Sequence, residues 1–374
     1  MKIMPISRQH QIHEERLKEM VMGMPFYVQQ FVDDKLDTHS SSTLLGYLHD
    51  YKLFFDWLMA EGFAECNEIK DIPLEALEKL PLEAAKSFFK FVNRKDVVVS
   101  KKKNEKKKPE KVSTNRKISA LRSLFKYLTV ETENQNQEPY FYRNVMQKIT
   151  VHKKKETLNA RSGRISKTIF HKDEDIQFLS FLKYEYLNTI SPKAKPYFLR
   201  DIERDYAVIS LFLGSGVRVN ELANLRLRDL NFSTNEIAVI RKGNKEDIVS
   251  VVPQAMQDVK EYLDIRLQRY RARNDEDDSV FVTRYQGSYT PLSVRTIQHM
   301  VKKYSKAFQS NKSLSPHKLR HTYATQLVEE TGDLVLVMNQ LGHSSMNTAV
   351  LYTNSDKERA REAAKKLGKK REDL

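Results

Sequence analysis

"EIAVIRKGNKEDIVSVV", Glu236 to Val252, decides how the second half of this 374-residue chain folds. β-Branched residues stand on both arms, and Gly243-Asn244 between them is a dipeptide suited to positive φ. The stretch therefore reads as a β-hairpin with Lys242 at its outward tip. Helices are expected on either side, from about Arg200 and from about Pro253, and "SVFVT" from Ser279 reads as another strand before further helices. The second half mixes α and β.

Upstream the pattern is helical alone. From Thr43, "TLLGYLHDYKLFFDWLMAEG" sets Leu44, Tyr47, Leu48, Tyr51, Phe54, Phe55 and Leu58 on one stripe, with Ser42 or Thr43 as cap and Gly62 as stop. A shorter helix is expected from Leu82. "STNRKISALRSLFKYL" from Ser113 turns Ile118, Leu121, Leu124, Phe125 and Leu128 inward and leaves Arg116, Lys117, Arg122 and Lys126 outward, as candidate DNA contacts. Ahead of it, residues 101–118 hold nine bases and two acids, and such a run reads first as a solvated segment. Residues 151–167, "VHKKKETLNARSGRISK", are polar and basic without periodicity and read as a linker.

Composition narrows the class. Lys and Arg number 64 against 49 acids, a formal charge of +15 that favours a polyanionic partner. A lone cysteine, Cys66, excludes an internal disulfide framework and a cysteine-based zinc site, and is expected to be structural. The start of the chain has no apolar stretch of signal type, and the apolar runs are too short to span a bilayer, so no membrane partner and a cytoplasmic location are expected.

"SPHKLRHTYATQ", Ser315 to Gln326, concentrates the chemistry. His317 and His321 have the i, i+4 spacing of a zinc helix, but Lys318 stands where that motif needs glutamate and Arg320 repels a cation. Binding of a phosphate fits the charges better. Arg218, after Gly214 and Gly216 in "GSGVRVNELANL", stands where a loop opens into a helix and can meet an anion. Lys242 is on the hairpin tip, and "QLGHSSMNTAVLYT" supplies His343 and Tyr352. Singly, each also reads as a salt-bridge arginine, a turn lysine, a core histidine or a core tyrosine.

As an ordered set, Arg218, Lys242, His317, Arg320, His343 and Tyr352 resemble the active site of the tyrosine recombinase/integrase family, and the surrounding motifs resemble it over residues 200–355. "STNRKISALRSLFKYL" is similar to that family's core-binding domain. The short N-terminus, which leaves no room for an arm-binding domain, is similar to the Xer branch. "EPYFYRNVM" at Glu138 and the insertion around Lys101 resemble its XerS-like single recombinases.

The resemblance implies a mainly α fold: a SAM-like core-binding domain followed by a mixed α/β catalytic domain, closed as a clamp on duplex DNA. The expected bounds are an N-terminal extension at 1–24, the core-binding domain at 25–150, a basic linker at 151–170, the catalytic domain at 171–354, and a tail at 355–374 packing on a neighbouring protomer. It further implies cleavage through a 3′-phosphotyrosyl bond to Tyr352, with Arg218 and Arg320 stabilising the charged phosphorane. Lys242 is then the general acid to the 5′-oxygen, His317 the general base, and His343 a hydrogen-bond donor to the phosphate. No cofactor, metal or ATP is called for. The expected partners are double-stranded DNA with an inverted-repeat site, a homotetramer spanning two sites, and a DNA translocase, for resolving chromosome dimers at cell division. A phage- or transposon-type integrase, a type IB topoisomerase and a non-catalytic DNA-binding regulator are the rival readings.

Overall fold

In the computed structural model, which describes residues 8–94, 97–98, 106–107, 111–151, 156–241, 245–309 and 313–342, the chain divides into two units, Met1–Lys154 and Lys155–Leu374. The first holds helices α1 (Arg8–Met22), α2 (Phe26–Lys35), α3 (Ser41–Ala60), α4 (Leu74–Glu78) and α5 (Leu82–Arg94), a two-residue ladder of β1 (Val97–Val98) with β2 (Lys106–Lys107), and α6 (Lys111–Lys126). Leu44, Leu48, Tyr51, Phe54, Phe55 and Leu58 of α3 are buried, and they share a core with Ile118, Leu121, Leu124, Phe125 and Leu128. Tyr51 carries its hydroxyl into that core and donates to the Ala120 carbonyl at 3.0 Å, which joins α3 to α6. Helix α3 is capped by Ser40, two or three residues before the expected cap, because it is Ser40 Oγ that accepts the Thr43 N–H. Gly62, at φ +75, ends it, with the Phe63 N–H donating back to the Leu58 carbonyl.

Of the expected extension at 1–24, the described residues 8–24 are instead part of this unit. Helix α1 packs on α3, and Leu17 and Met24 lie in the core. Its apolar residues are spaced thinly among charges, so no sustained stripe marks it in the sequence.

The second unit holds α7 (Leu158–Ser166), α8 (Glu174–Ser180), α9 (Tyr186–Thr189), α10 (Lys195–Ser215) and α11 (Val219–Ala223). A three-stranded antiparallel sheet follows, with β3 (Leu230–Asn231), β4 (Glu236–Arg241) and β5 (Lys245–Ser250) in that order. Then come α12 (Pro253–Tyr270), the hairpin of β6 (Val282–Tyr285) with β7 (Ser288–Pro291), α13 (Val294–Phe308), α14 (Pro316–Thr331) and α15 (Leu334–Leu341). The fold is mainly α with a mixed second unit, as the sequence predicts. Two local expectations change. The stretch read as a linker at 151–170 carries α7, capped by Thr157, and Ile169 and Phe170 behind it are buried in this unit; the Phe170 N–H donates to Thr322 of α14. The strand expected from Ser279 begins at Val282 and gains β7 as partner through Gln286-Gly287, both at positive φ.

Helix α10 is the axis of the unit. From Ala207 to Ser215 it is buried, and α12 and α14 pack against it. Arg204 and Asp205 pair inside at 2.6 Å, and the Tyr304 hydroxyl donates to the same aspartate, fixing α10 to α13. At its C-terminal end Gly216 turns left-handed, φ +66, and a Cβ there would stand 2.5 Å from Tyr323 and 2.8 Å from Leu341. Gly216→Ala therefore adds both backbone strain and a core clash. We expect it to lower unfolding free energy by about 2–4 kcal/mol in urea titration; a loss inside measurement error would refute the packing described.

Candidate active site

Gly216 does more than end a helix. Its left-handed turn reverses the chain so that Arg218 becomes the residue before α11, and Glu221, three residues on, closes back over it. One Glu221 oxygen accepts the Arg218 backbone N–H at 2.7 Å and the other accepts Arg218 Nη1 at 2.7 Å. That N–H is thus taken by Glu221 and is closed to an anion. Glu221 buttresses Arg218 from within the first turn of α11. Arg218 remains 39 % exposed along its side chain, so it can hold this pair and still face a ligand.

Helices α14 and α15 bring the other groups. Gly332, at φ +66, ends α14, and Asp333 starts α15 by accepting the N–H groups of Val335 and Leu336 at 2.8 and 3.0 Å. Arg320 is 2 % exposed and donates Nη1 to the Gly216 carbonyl at 2.6 Å and Nη2 to the Leu341 carbonyl. Arg218 donates Nη2 to the Gly342 carbonyl at 3.0 Å. Two of the expected phosphate ligands therefore meet at the C-terminal turn of α15, whose last carbonyls have no partner within the helix. A third guanidinium, Arg241 at the end of β4, joins them through the carbonyls of Gln340 and Leu341.

His317 stands in the first turn of α14, and its imidazole titrates below the ordinary 6.5 because burial, then the charges of Arg320 and Arg218, oppose the cation. A neutral ring can accept a proton near pH 7. His321 lies one turn on, with its Nε2 3.0 Å from that of His317 and the rings edge to face. The pair is a hydrogen-bonded contact between side chains of one helix face. Among the described residues no group of three or more His, Cys, Asp or Glu is placed to hold a metal ion. Lys242, His343 and Tyr352 lie outside the described residues.

The candidate DNA contacts of α6 are partly engaged within the first unit. Arg116 bonds Asp50 at 2.6 Å and the Gly46 carbonyl at 3.0 Å, with half its side chain exposed. Lys117 is turned in toward the buried Asp50 and is 13 % exposed, so it is not outward as the periodicity suggests. Arg122 donates to the carbonyls of Met146, Gln147 and Ile149 and pins the segment that closes the core. Lys126 pairs with Glu131 yet stays 59 % exposed.

Arg241 is the site residue that sequence motifs do not flag. A signal exists nonetheless: Ile237, Val239 and Arg241 alternate inward along β4, and a charge on an inward register needs a buried partner.

Residues 180–359 match the phage integrase family. The chain is 40 % identical over 354 residues to tyrosine recombinase XerS of Streptococcus agalactiae serotype III (strain NEM316), covering 94 % of this chain and 98 % of that one. It is 41 % identical over 354 residues, with the same coverage, to XerS of Streptococcus uberis (strain ATCC BAA-854 / 0140J). Its fold is similar to that of the XerH site-specific recombinase solved bound to difH substrate in a pre-cleavage complex, at a TM-score of 0.55 and 22 % identity over 86 % of this chain and 78 % of that one. With identity of this extent along nearly the whole length of its relatives, the chain belongs to the tyrosine recombinase family, as a site-specific DNA recombinase of the Xer type.

Proposed function

We propose that this recombinase cuts each strand with Tyr352 at a phosphate held by Arg218 and Arg320, and rejoins it without an external energy source. One observation carries the reading: both arginines bond to the C-terminal turn of α15, immediately before His343 in the chain, and their charges act on His317. Two guanidiniums suit a phosphorane because they stay charged and donate in pairs. His317, held neutral, is the base for the tyrosine proton; Lys242 protonates the departing 5′-oxygen; His343 bonds the phosphate. The substrate is double-stranded DNA with an inverted-repeat site, bound by a homotetramer across two sites, in the cytoplasm. The role that fits is resolution of chromosome dimers at cell division, with a DNA translocase as activator.

The tail at 355–374 supports the assembly. Ala360, Ala363, Ala364 and Leu367 follow helical spacing among basic residues. The second unit offers a groove of about 670 Å³ lined by Leu213, Tyr323 and Leu327 and by the acids Asp175 and Glu330. A tail from a neighbouring copy matches it in apolarity and in charge.

The basis of DNA affinity can be divided by residue. Lys126→Ala should reduce the slope of log affinity against log salt by about 1 if it neutralises a phosphate. Arg122→Ala should leave that slope alone and lower stability by about 1–3 kcal/mol, since it strips three carbonyls of their donor. A slope change for Arg122→Ala would place it on DNA instead.

Chemistry is tested on a nicked duplex that traps the covalent adduct. Tyr352→Phe should bind DNA and form no adduct. Replacing the bridging 5′-oxygen by sulfur should rescue Lys242→Ala, because a thiolate leaves unprotonated, and should not rescue Arg218→Ala or Arg320→Ala. Rescue of all three, or of none, removes Lys242 as the acid. A plasmid carrying two sites separates recombination from relaxation or binding alone, and a chain ending at 354 should lose recombination while still binding.

His317 gives a pH signature. Its midpoint lies below the ordinary 6.5, so cleavage should fall on acidification with a midpoint beneath that value. His317→Gln should cleave about 10²–10⁴-fold more slowly and show no such acid limb. A midpoint above 6.5, or an acid limb that survives the substitution, excludes this role.

A further inference from the structure

Arg241 is 9 % exposed, and its guanidinium is used on every side. Nε donates to Asp247 Oδ2 at 2.9 Å, Nη2 donates to the Gln340 carbonyl at 2.8 Å, and Nη1 donates to the Leu341 carbonyl at 3.0 Å. Nη1 also lies 3.4 Å from both oxygens of Glu221. Gly342 is pressed against the same group, for a Cβ there would stand 2.7 Å from Nε. One side chain thus ties β4, β5, α11 and the end of α15 together. Two of these four partners also hold an arginine expected to bind phosphate. Glu221 fixes Arg218, the Leu341 carbonyl fixes Arg320, and the neighbouring Gly342 carbonyl fixes Arg218 a second time.

We propose that Arg241 is a positioning residue for strand cleavage: it touches no substrate, and sets the spacing of Arg218 and Arg320 through Glu221 and the last turn of α15. The inference rests on the reading that those two arginines bind the scissile phosphate. Its physical basis is that a planar guanidinium can meet a carboxylate on one side and two carbonyls on another, whereas an ammonium or an amide cannot span them. Loosening it lets two rigidly aimed groups drift, and misplacement of about 1 Å costs about 100-fold in rate.

The test is single-turnover cleavage of the nicked duplex, alongside affinity for the same DNA. Arg241→Lys and Arg241→Gln should each cleave about 100-fold more slowly with affinity unchanged. Arg218→Lys should be slow in its own right, and adding Arg241→Gln to it should cost little more, because residues that act as a unit are not additive. Losses that multiply, or full-rate cleavage by the Arg241 variants, overturn the proposal while leaving the phosphate reading intact. Full-rate cleavage by Arg218→Lys and by Arg218→Ala overturns both. Should the Arg241 variants fail to fold, Asp247→Ala, at a partly exposed residue, removes the Nε anchor and leaves the Gln340 and Leu341 bonds in place. It should then show a smaller loss that vanishes in the Arg218→Lys background; a loss that persists there counts against the proposal.

Discussion

Three guanidiniums, those of Arg218, Arg241 and Arg320, bond to the last carbonyls of one eight-residue helix, Leu334–Leu341, and its closing glycine. A helix end carries carbonyls with no partner and the negative pole of the backbone dipoles, so it attracts cations. Here it draws in three that would otherwise repel one another. Glu221, buried among them, and Asp247 at the edge offset part of that repulsion. The positive field that remains is what a phosphate diester with developing charge would meet.

Much of the second unit follows from keeping that turn in place. Gly216 lets α10 end under Tyr323 and Leu341 and points its carbonyl at Arg320. Gly342 admits the Arg241 guanidinium at van der Waals range. Gln340 donates its side-chain amide to the carbonyls of Ser215 and Ser250, so the helix end is held from the sheet side as well. The buried Arg204–Asp205 pair, with the Tyr304 hydroxyl donating to the same aspartate, ties α10 to α13. The same turn leads directly to His343 in sequence.

Legibility in the sequence tracked the strength of the local signal. The α3 and α6 stripes, the Gly62 stop and the β4–β5 hairpin are visible because burial imposes a period on each. Helices α1 and α7 are not, since their apolar residues are few and their burial comes from partners far away in the chain. Lys117 and Arg122 illustrate the same limit. Helical spacing puts them on a polar face, but Asp50 and the 146–149 carbonyls, distant in sequence, draw them inward. Arg241 is a mixed case: its inward register is readable, whereas the carbonyls that justify it lie 99 and 100 residues away.

The residue types and their order were enough, by themselves, to determine the family and the mainly α architecture, and to nominate the candidate catalytic groups. Those features are one-dimensional: spacing along a helix, alternation along a strand, and motifs a few residues long. Tertiary structure alone decided which charges converge and which are neutralised on the way. It spent the Arg218 N–H on Glu221, held His317 neutral beside two arginines, and made Arg241 a tie between sheet and helix. The reason is that electrostatic energy depends on distances through space and on the water removed between groups, and neither is written in the order of residues.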